Sequence, residues 1–368
     1  MSTLLKDIYS PAFYNRFGGV VAEVIPAFDK KKFTQLIFAD NWEEKELKDR
    51  MRHTSLVLHP FLPKDFDKAA KAIDRIIGQL KKRGFTENSL EFMFFPDYIE
   101  VFGLDDFATA VRSIESVTQF TSCEFAVRPF LLKYEKEMLK QMHQWSLHPN
   151  HKVRRLASEG TRPRLPWAMA IPYLKKDPSP ILPLLENLKN DPSEWVRRSV
   201  ANNLNDISKD HPQIVTGIAK KWKGISKETD AIIKHGSRTL LKQGHTDILQ
   251  YYGLSNSTDI EVKKASIQTP SVKIGKDLAF SFTLHNHSGK TQTVRLEYGV
   301  YYLRQNGQLS RKVFKISERV MQAGEKLEVN RKQSFRLITT RTFYPGQQQL
   351  SIIINGQERK TMRFTLTD

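Results

Sequence analysis

Apolar residues recur at three- and four-residue spacing through most of this chain, and at two-residue spacing from about residue 258 to residue 368. The first pattern belongs to helices that each bury one stripe, the second to strands that bury alternate side chains. Residues 1 to about 60 predict a helical cap, with Phe33, Leu36, Ile37, Leu47, Met51 and Leu56 on the buried stripes. Gly18-Gly19, Pro26 and Asp40-Asn41 should interrupt it, and Trp42 should open the next helix. From Pro63 to Gly84, the positions of Phe66, Ala69, Ala70, Ile73, Ile76, Ile77 and Leu80 predict one helix. Its basic last turn suits the macrodipole, and Gly84 suits a glycine C-cap. The aromatic-rich run NSLEFMFFPDYIEVFGL reads as packing. Two helices should follow over 105–120 and 123–147, the second kinked or split by Pro129.

Two stretches then share a pattern. HPNHKVRRLASEGTRPRLPW runs from His148 to Trp167, and DPSEWVRRSVANNLNDISKDHP from Asp191 to Pro212. Pro149 and Pro192 are 43 residues apart, as are Val153 and Val196, Arg154 and Arg197, and Arg155 and Arg198. Helical units at this period predict an array of HEAT or armadillo type, stacked into a solenoid with a concave face. A further helical pair follows, QIVTGIAKKWKG and ETDAIIKHGSRTLLKQG, as a degenerate third copy in which Leu240 answers to Leu204. The helical part ends near Gly253.

Seven short strands are then expected: DIEVKKASIQ, DLAFSFTLHN, QTVRLEYGVYYLR, KVFKISER, EKLEVNRKQSF, QQLSIIIN and KTMRFTLT, with turn signals between them. Seven strands at this spacing predict an immunoglobulin-like β-sandwich. The expected fold is therefore multidomain: an all-α HEAT-like repeat solenoid over 1–254, then an all-β immunoglobulin-like sandwich over 258–368.

Composition narrows the function. The net charge is +18, which favours an anionic polymer or surface as partner; a merely soluble basic protein is the plainer reading. The strand-rich part alone has 19 Lys and Arg against 9 Asp and Glu. No apolar run approaches 18 residues, so no membrane span or membrane partner is expected. The N-terminus lacks a secretory pattern. The single cysteine, Cys123, suits a reducing cytosol and reads as a small buried hydrophobe. No Cys/His cluster has zinc-ligand spacing, and no Walker loop or dinucleotide fingerprint occurs. Neither a metal nor a cofactor is expected.

The remaining chemistry lies in acids and a tryptophan among arginines. Glu124 sits in or before the first turn of an apolar helix, which also fits a helix-dipole partner beside a Thr121 or Ser122 cap. Glu159 falls at a helix C-terminus, where an acid is disfavoured; an exposed pairing with Arg155 would also account for it. Trp167 follows a proline and could equally be a core anchor. Asp206 lies near the end of the second paired-arginine helix and could equally be a turn or cap residue. Lys152, Arg154, Arg155, Arg162, Arg164, Arg197 and Arg198 surround them in sequence and are candidates for contacts to a phosphate backbone. Acids and a tryptophan framed by arginines suit a cationic target on a phosphate backbone.

HPNHKVRRLASEGTRPRLPWA, TSCEFAVRPF and SEWVRRSVANNLNDISKDHP resemble the AlkC branch of the AlkC/AlkD DNA alkylation-repair glycosylases, and the resemblance runs from LKDIYSPAFYNRF onward. Some members of that branch carry an immunoglobulin-like domain after the helical repeats. The resemblance implies a monofunctional, cofactor-free glycosylase that excises cationic bases such as 3-methyladenine and 3-methylcytosine from double-stranded DNA. It implies catalytic roles for Glu124, Glu159, Trp167 and Asp206. A monomer in the cytoplasm, associated with the nucleoid through DNA, is expected. The rival reading is a non-catalytic repeat scaffold that binds DNA or protein.

Overall fold

The computed structural model of the chain describes residues 4–87, 89–254, 259–338 and 341–368. The expected junction between helices and strands, at 255–258, lies outside the described residues. In chain order the helices are α1 (Pro11–Val24), α2 (Lys30–Ile37), α3 (Leu47–Leu58), α4 (Phe66–Lys82), α5 (Phe94–Gly103), α6 (Phe107–Val117), α7 (Val127–Lys133) and α8 (Glu135–Trp145). They continue as α9 (His151–Gly160), α10 (Pro172–Lys176), α11 (Leu182–Leu188), α12 (Glu194–Ile207), α13 (Pro212–Trp222), α14 (Lys227–Gly236), α15 (Arg238–Gln243) and α16 (Thr246–Tyr251). Two compact units form, one from Met1–His211 with Trp222–Gly236, the other from Pro212–Lys221 with Ser237–Asp368. No described helix is long and apolar enough to cross a membrane.

In the first unit, Ser10 caps α1 by accepting from the Phe13 amide, and Pro11 takes the first helical position, where no donor is needed. Gly18 and Gly19 do not interrupt the helix as expected; both lie inside it, and a side chain at Gly18 would press on Lys30. Asp40 and Asn41 do break the chain, with φ of 51° and 56°. Trp42 opens only one 3-10 turn, Trp42–Glu44, and lies buried under the Arg50 guanidinium, 4.7 Å from its ring centroid. Helix α4 buries the expected stripe and ends at Gly84, where φ is 79°. The Phe85 amide bonds the Leu80 carbonyl and the Gly84 amide that of Lys81, which satisfies two orphan acceptors in a Schellman cap. Phe92, Phe94, Phe95 and Tyr98 are fully buried, so the aromatic run is packing. The helix expected over 123–147 is two helices, and the break falls at Tyr134, not at Pro129. Pro129 sits in the first turn of α7, where its missing N–H costs nothing.

The repeat is visible atom by atom. Val153 and Val196 are both fully buried. Arg154 Nη1 donates to the carbonyls of His148 (2.9 Å) and Pro149 (2.7 Å). Arg197 Nη1 donates to those of Asp191 (2.7 Å) and Pro192 (2.9 Å). The first arginine of each pair thus closes the turn that opens its own helix. Arg154 also reaches forward: its Nε and Nη2 lie 2.6 and 3.1 Å from the buried Asp191 carboxylate.

In the second unit the strands are β1 (Ile260–Ile267), β2 (Ser271–Lys273), β3 (Asp277–Asn286), β4 (Gln292–Leu303), β5 (Leu309–Met321), β6 (Lys326–Ser334), β7 (Gly346–Ile354) and β8 (Gln357–Thr367). They form a three-stranded sheet, β1-β3-β6, and a five-stranded sheet, β2-β8-β7-β4-β5. All seven expected strands are present; β2, which pairs parallel to β8, was not anticipated. Leu278, Phe280, Phe282 and Leu284 alternate inward from β3 and share a core with Val294, Leu296 and Val300 of β4 and Leu350, Ile352 and Ile354 of β7. Helices α15 and α16 belong to this unit. Gly244 after α15 (φ 74°) and Gly356 in the β7–β8 turn (φ 76°) meet backbone to backbone. A Cβ on Gly356 would lie 2.4 Å from Gly244 Cα, so this approach admits no side chain.

Candidate active site and nucleic-acid interface

The two repeat helices lie side by side, joined where Asn203 of α12 donates to the Ser158 carbonyl (2.8 Å) in the last turn of α9. Gly160 lets that last turn approach α7: a Cβ there would stand 2.6 Å from Val127. These contacts fix the backbone that carries Glu159. Its carboxylate is buried and not exposed as an ordinary Arg155 pairing would require. Glu159 Oε1 accepts from Arg162 Nη1 at 2.7 Å, with Arg155 Nη2 at 3.9 Å. These guanidinium groups offset the unfavourable dipole at the helix end. None of the contacts uses Glu159 Oε2.

Arg162 joins the two copies. Its Nε donates to Asp206 Oδ2 at 2.8 Å, while Lys209 Nζ holds Asp206 Oδ1 at 2.9 Å. Asp206 is 1% exposed, which rules out a solvated turn or cap role. Burial pulls the Arg162 guanidinium down, but Glu159 and Asp206 outweigh it and hold the group above its ordinary value. Glu124 lies in the turn before α7, and its Oε2 accepts from Ser122 Oγ (2.8 Å) and Arg155 Nη1 (2.7 Å). Ser122 therefore binds the Glu124 side chain and does not cap the helix. Arg155 in turn lies over the Trp195 ring, 4.5 Å from its centroid. Glu124, Glu159 and Asp206 are thus linked through Arg155 and Arg162 into one network.

Trp167 is not a core anchor. It is 64% exposed and has φ of 64°, a left-handed conformation costly for a bulky residue. Two residues that sequence reasoning missed hold it there. Lys48 Nζ donates to the Trp167 carbonyl at 2.7 Å and lies 5.4 Å from the Phe125 ring centroid. Arg128, fully buried, donates from Nη1 to the carbonyls of Gly160 (3.0 Å) and Arg162 (2.9 Å) and from Nε to that of Met169. It brackets the loop on both sides of Trp167. Burial, with the like charge of Arg162, lowers its pKa to about 10. The signal for Arg128 was present: it is a cation inside the apolar run FAVRPFLL. Lys48 left none.

Several arginines expected on phosphates are used inside the chain. Arg154 and Arg197 close the repeat turns, and Arg155 and Arg162 hold acids. Lys152 is buried on Glu87 and the Gln119 carbonyl. Arg164 pairs with Asp210 yet is a third exposed, and Arg198, paired one turn away with Glu194, is 67% exposed. Of the seven, Arg198 is the one that is exposed and Arg164 reaches solvent in part, and Lys209 joins them at 38%. A paired-arginine repeat serves its own stacking first, because each turn presents bare carbonyls that need donors. Among the described residues, the one group of three possible metal-ligating side chains is in the β unit: Glu261, His285 and His287.

The helical unit and the sandwich have counterparts among known proteins. The chain belongs to the DNA alkylation repair enzyme family, in its AlkC-type arrangement: residues 103–265 match the model described as DNA alkylation repair enzyme, and residues 261–368 that of the C-terminal Ig-like domain of the uncharacterised protein YhaZ. It is 42% identical over 360 residues to the uncharacterized protein YhaZ of Bacillus subtilis (strain 168), with 98% of each chain covered. It is similar over the full length of both chains to Pseudomonas fluorescens alkylpurine DNA glycosylase AlkC bound to DNA containing an abasic site analog, with a TM-score of 0.92 and 32% identity.

Proposed function

We propose that the protein is a monofunctional DNA glycosylase that hydrolyses the N-glycosidic bond of cationic N-alkylated bases, 3-methylcytosine and 3-methyladenine among them, in double-stranded DNA. The observation that carries this reading is the pair of buried carboxylates, Glu159 and Asp206, held by one guanidinium at 2.7 and 2.8 Å, with the exposed Trp167 in the loop that follows Arg162. The likeness to a DNA-bound alkylpurine DNA glycosylase supports it. A quaternised base leaves as a neutral molecule when the C1′–N bond breaks and its electron pair stays with nitrogen, so no acid is needed to protonate it. Positive charge then develops on the deoxyribose. Asp206 or Glu159 stabilises that charge and takes a proton from the water whose oxygen bonds C1′. Trp167 offers a π face to the cation, worth about 0.5–2 kcal/mol. Glu124 orients Arg155, which faces Glu159.

Both Asp206 oxygens are occupied, and Lys209 is the more exposed of its two partners. A DNA phosphate that draws Lys209 away releases Oδ1 for catalysis. The basic immunoglobulin-like module adds DNA affinity of its own. The protein acts as a cytoplasmic monomer.

A duplex with a single 3-methylcytosine tests the reading: incubation without added metal should yield abasic sites, read as alkali-labile breaks. Asp206→Asn should lower the rate about 10²–10⁴-fold with DNA affinity retained. Binding of alkylated duplex with no abasic product would favour the scaffold reading instead.

A further inference from the structure

We propose that Glu261, His285 and His287 form a binding site for a divalent transition metal of the zinc class on the outer face of the β1-β3-β6 sheet. His285 and His287 are two residues apart at the end of β3, so strand geometry sends both side chains to one face. Glu261 of β1 is the register partner of His285, which brings its carboxylate to the same place. One ligand atom from each residue lies within 4.8 Å of the others. Donors about 2.0–2.1 Å from a tetrahedral zinc stand roughly 3.4 Å apart, so small side-chain rotations complete the set.

Two further observations point the same way. The imidazole centroids are 3.8 Å apart at 55°, too tilted to be a stacked pair. His285 Nδ1 is buried and has no hydrogen-bond partner, although it stands beside an imidazole and a carboxylate. The two imidazoles are borderline donors that favour zinc, nickel or copper over calcium or magnesium, and zinc accepts one carboxylate beside them. Glu261 and His287 are exposed, which leaves the fourth position to water.

Two cations face the site and must be overcome. Lys263 Nζ lies 3.0 Å from Glu261 Oε2, and Lys326 of β6 is opposite His285 in register. Lys263 is 47% exposed, and a solvated pairing of that kind is weak beside a three-donor chelate. A bound ion would staple the edge strand β1 to β3 above the register shift at Lys263/Ser266.

The test uses the full chain stripped with chelator, titrated with zinc chloride by calorimetry and with cobalt chloride by visible absorption. The expected result is one ion per chain with a Kd of about 10 µM or tighter, a tetrahedral cobalt spectrum and a higher Tm with zinc. His287→Ala, at an exposed position, should weaken binding about 10–100-fold with the circular dichroism spectrum unchanged. His285→Asn with His287→Ala should abolish it. Excision of alkylated duplex is read in parallel and should be the same in all variants. No one-to-one binding tighter than about 100 µM, or undiminished binding by the double variant, overturns the site.

Discussion

Trp167 shows how a single residue can be prepared for work at a structural cost. Its left-handed backbone costs about 1–3 kcal/mol and persists because Lys48 grips its carbonyl while Arg128 grips those of Gly160, Arg162 and Met169. Lys48→Met should therefore lower excision about tenfold, through kcat more than DNA affinity, since it touches the tryptophan only through the backbone. Single-turnover rates and binding isotherms on the alkylated duplex separate the two. A second residue reports through pH. Burial raises the Asp97 carboxyl above its ordinary value despite the Arg52 guanidinium at 3.0 Å. For an acid shifted upward, the folded state holds its proton longer than the unfolded state. The stability present below the unfolded value, about 3.9, is then lost as pH rises through the folded value. Asp97→Asn should flatten that decline in denaturant titrations across the mildly acid range.

At the scale of elements, the repeat helices carry their own fastening. Arg154 is tied both to its own turn and to the buried Asp191, whereas Arg197 is tied only to its own turn. Removing Arg154 strands a buried carboxylate, so Arg154→Ala should cost about 3–5 kcal/mol. Arg197→Ala should cost about 1–2 kcal/mol. Urea unfolding of the two variants checks the difference, and equal losses would refute the fastening. This is also where the sequence could be read only in part. The 43-residue period, the buried valines and seven of the eight strands follow from spacing alone, because periodicity records burial. The direction of an arginine does not. Arg154 and Arg197 look like a phosphate-binding pair until the carbonyls of their turns are seen to need donors. Strand β2 spans three residues, too few for alternation to register. Glu261 stands 24 positions before His285, and no linear scan for zinc spacing joins residues that only strand register brings together.

For the whole molecule, the charge of +18 must act through groups that the fold leaves in solvent. Arg164, Arg198 and Lys209 are such groups. With about three phosphates neutralised, a rise from 50 to 200 mM salt should weaken duplex binding by roughly 40-fold, with a linear log–log dependence. Arg198→Gln should make that slope shallower by about one unit. Arg154→Ala should leave it alone, since that guanidinium is consumed inside the chain. Fluorescence anisotropy over a salt series distinguishes these. The candidate catalytic acids were legible as residues, but their joining through Arg162 was not, since the bridge links side chains 44 positions apart.

The turn-closing arginines also give the helical series a direction and an end. Counted from the caps, Asn150, Ser193 and Ser226, the residue two places earlier is His148, Asp191 and Gly224. The residue four places later is Arg154, Arg197 and Asp230. Only the middle unit offers a carboxylate to the unit before it. Gly224 offers Arg197 nothing but backbone, and Asp230 closes its own turn by accepting the Gly224 amide at 3.0 Å. Lengthening this protein by duplication is therefore possible at one place. A copy of the middle unit set beside itself would find an aspartate for every arginine behind it, whereas a copy added after the last would find no such partner.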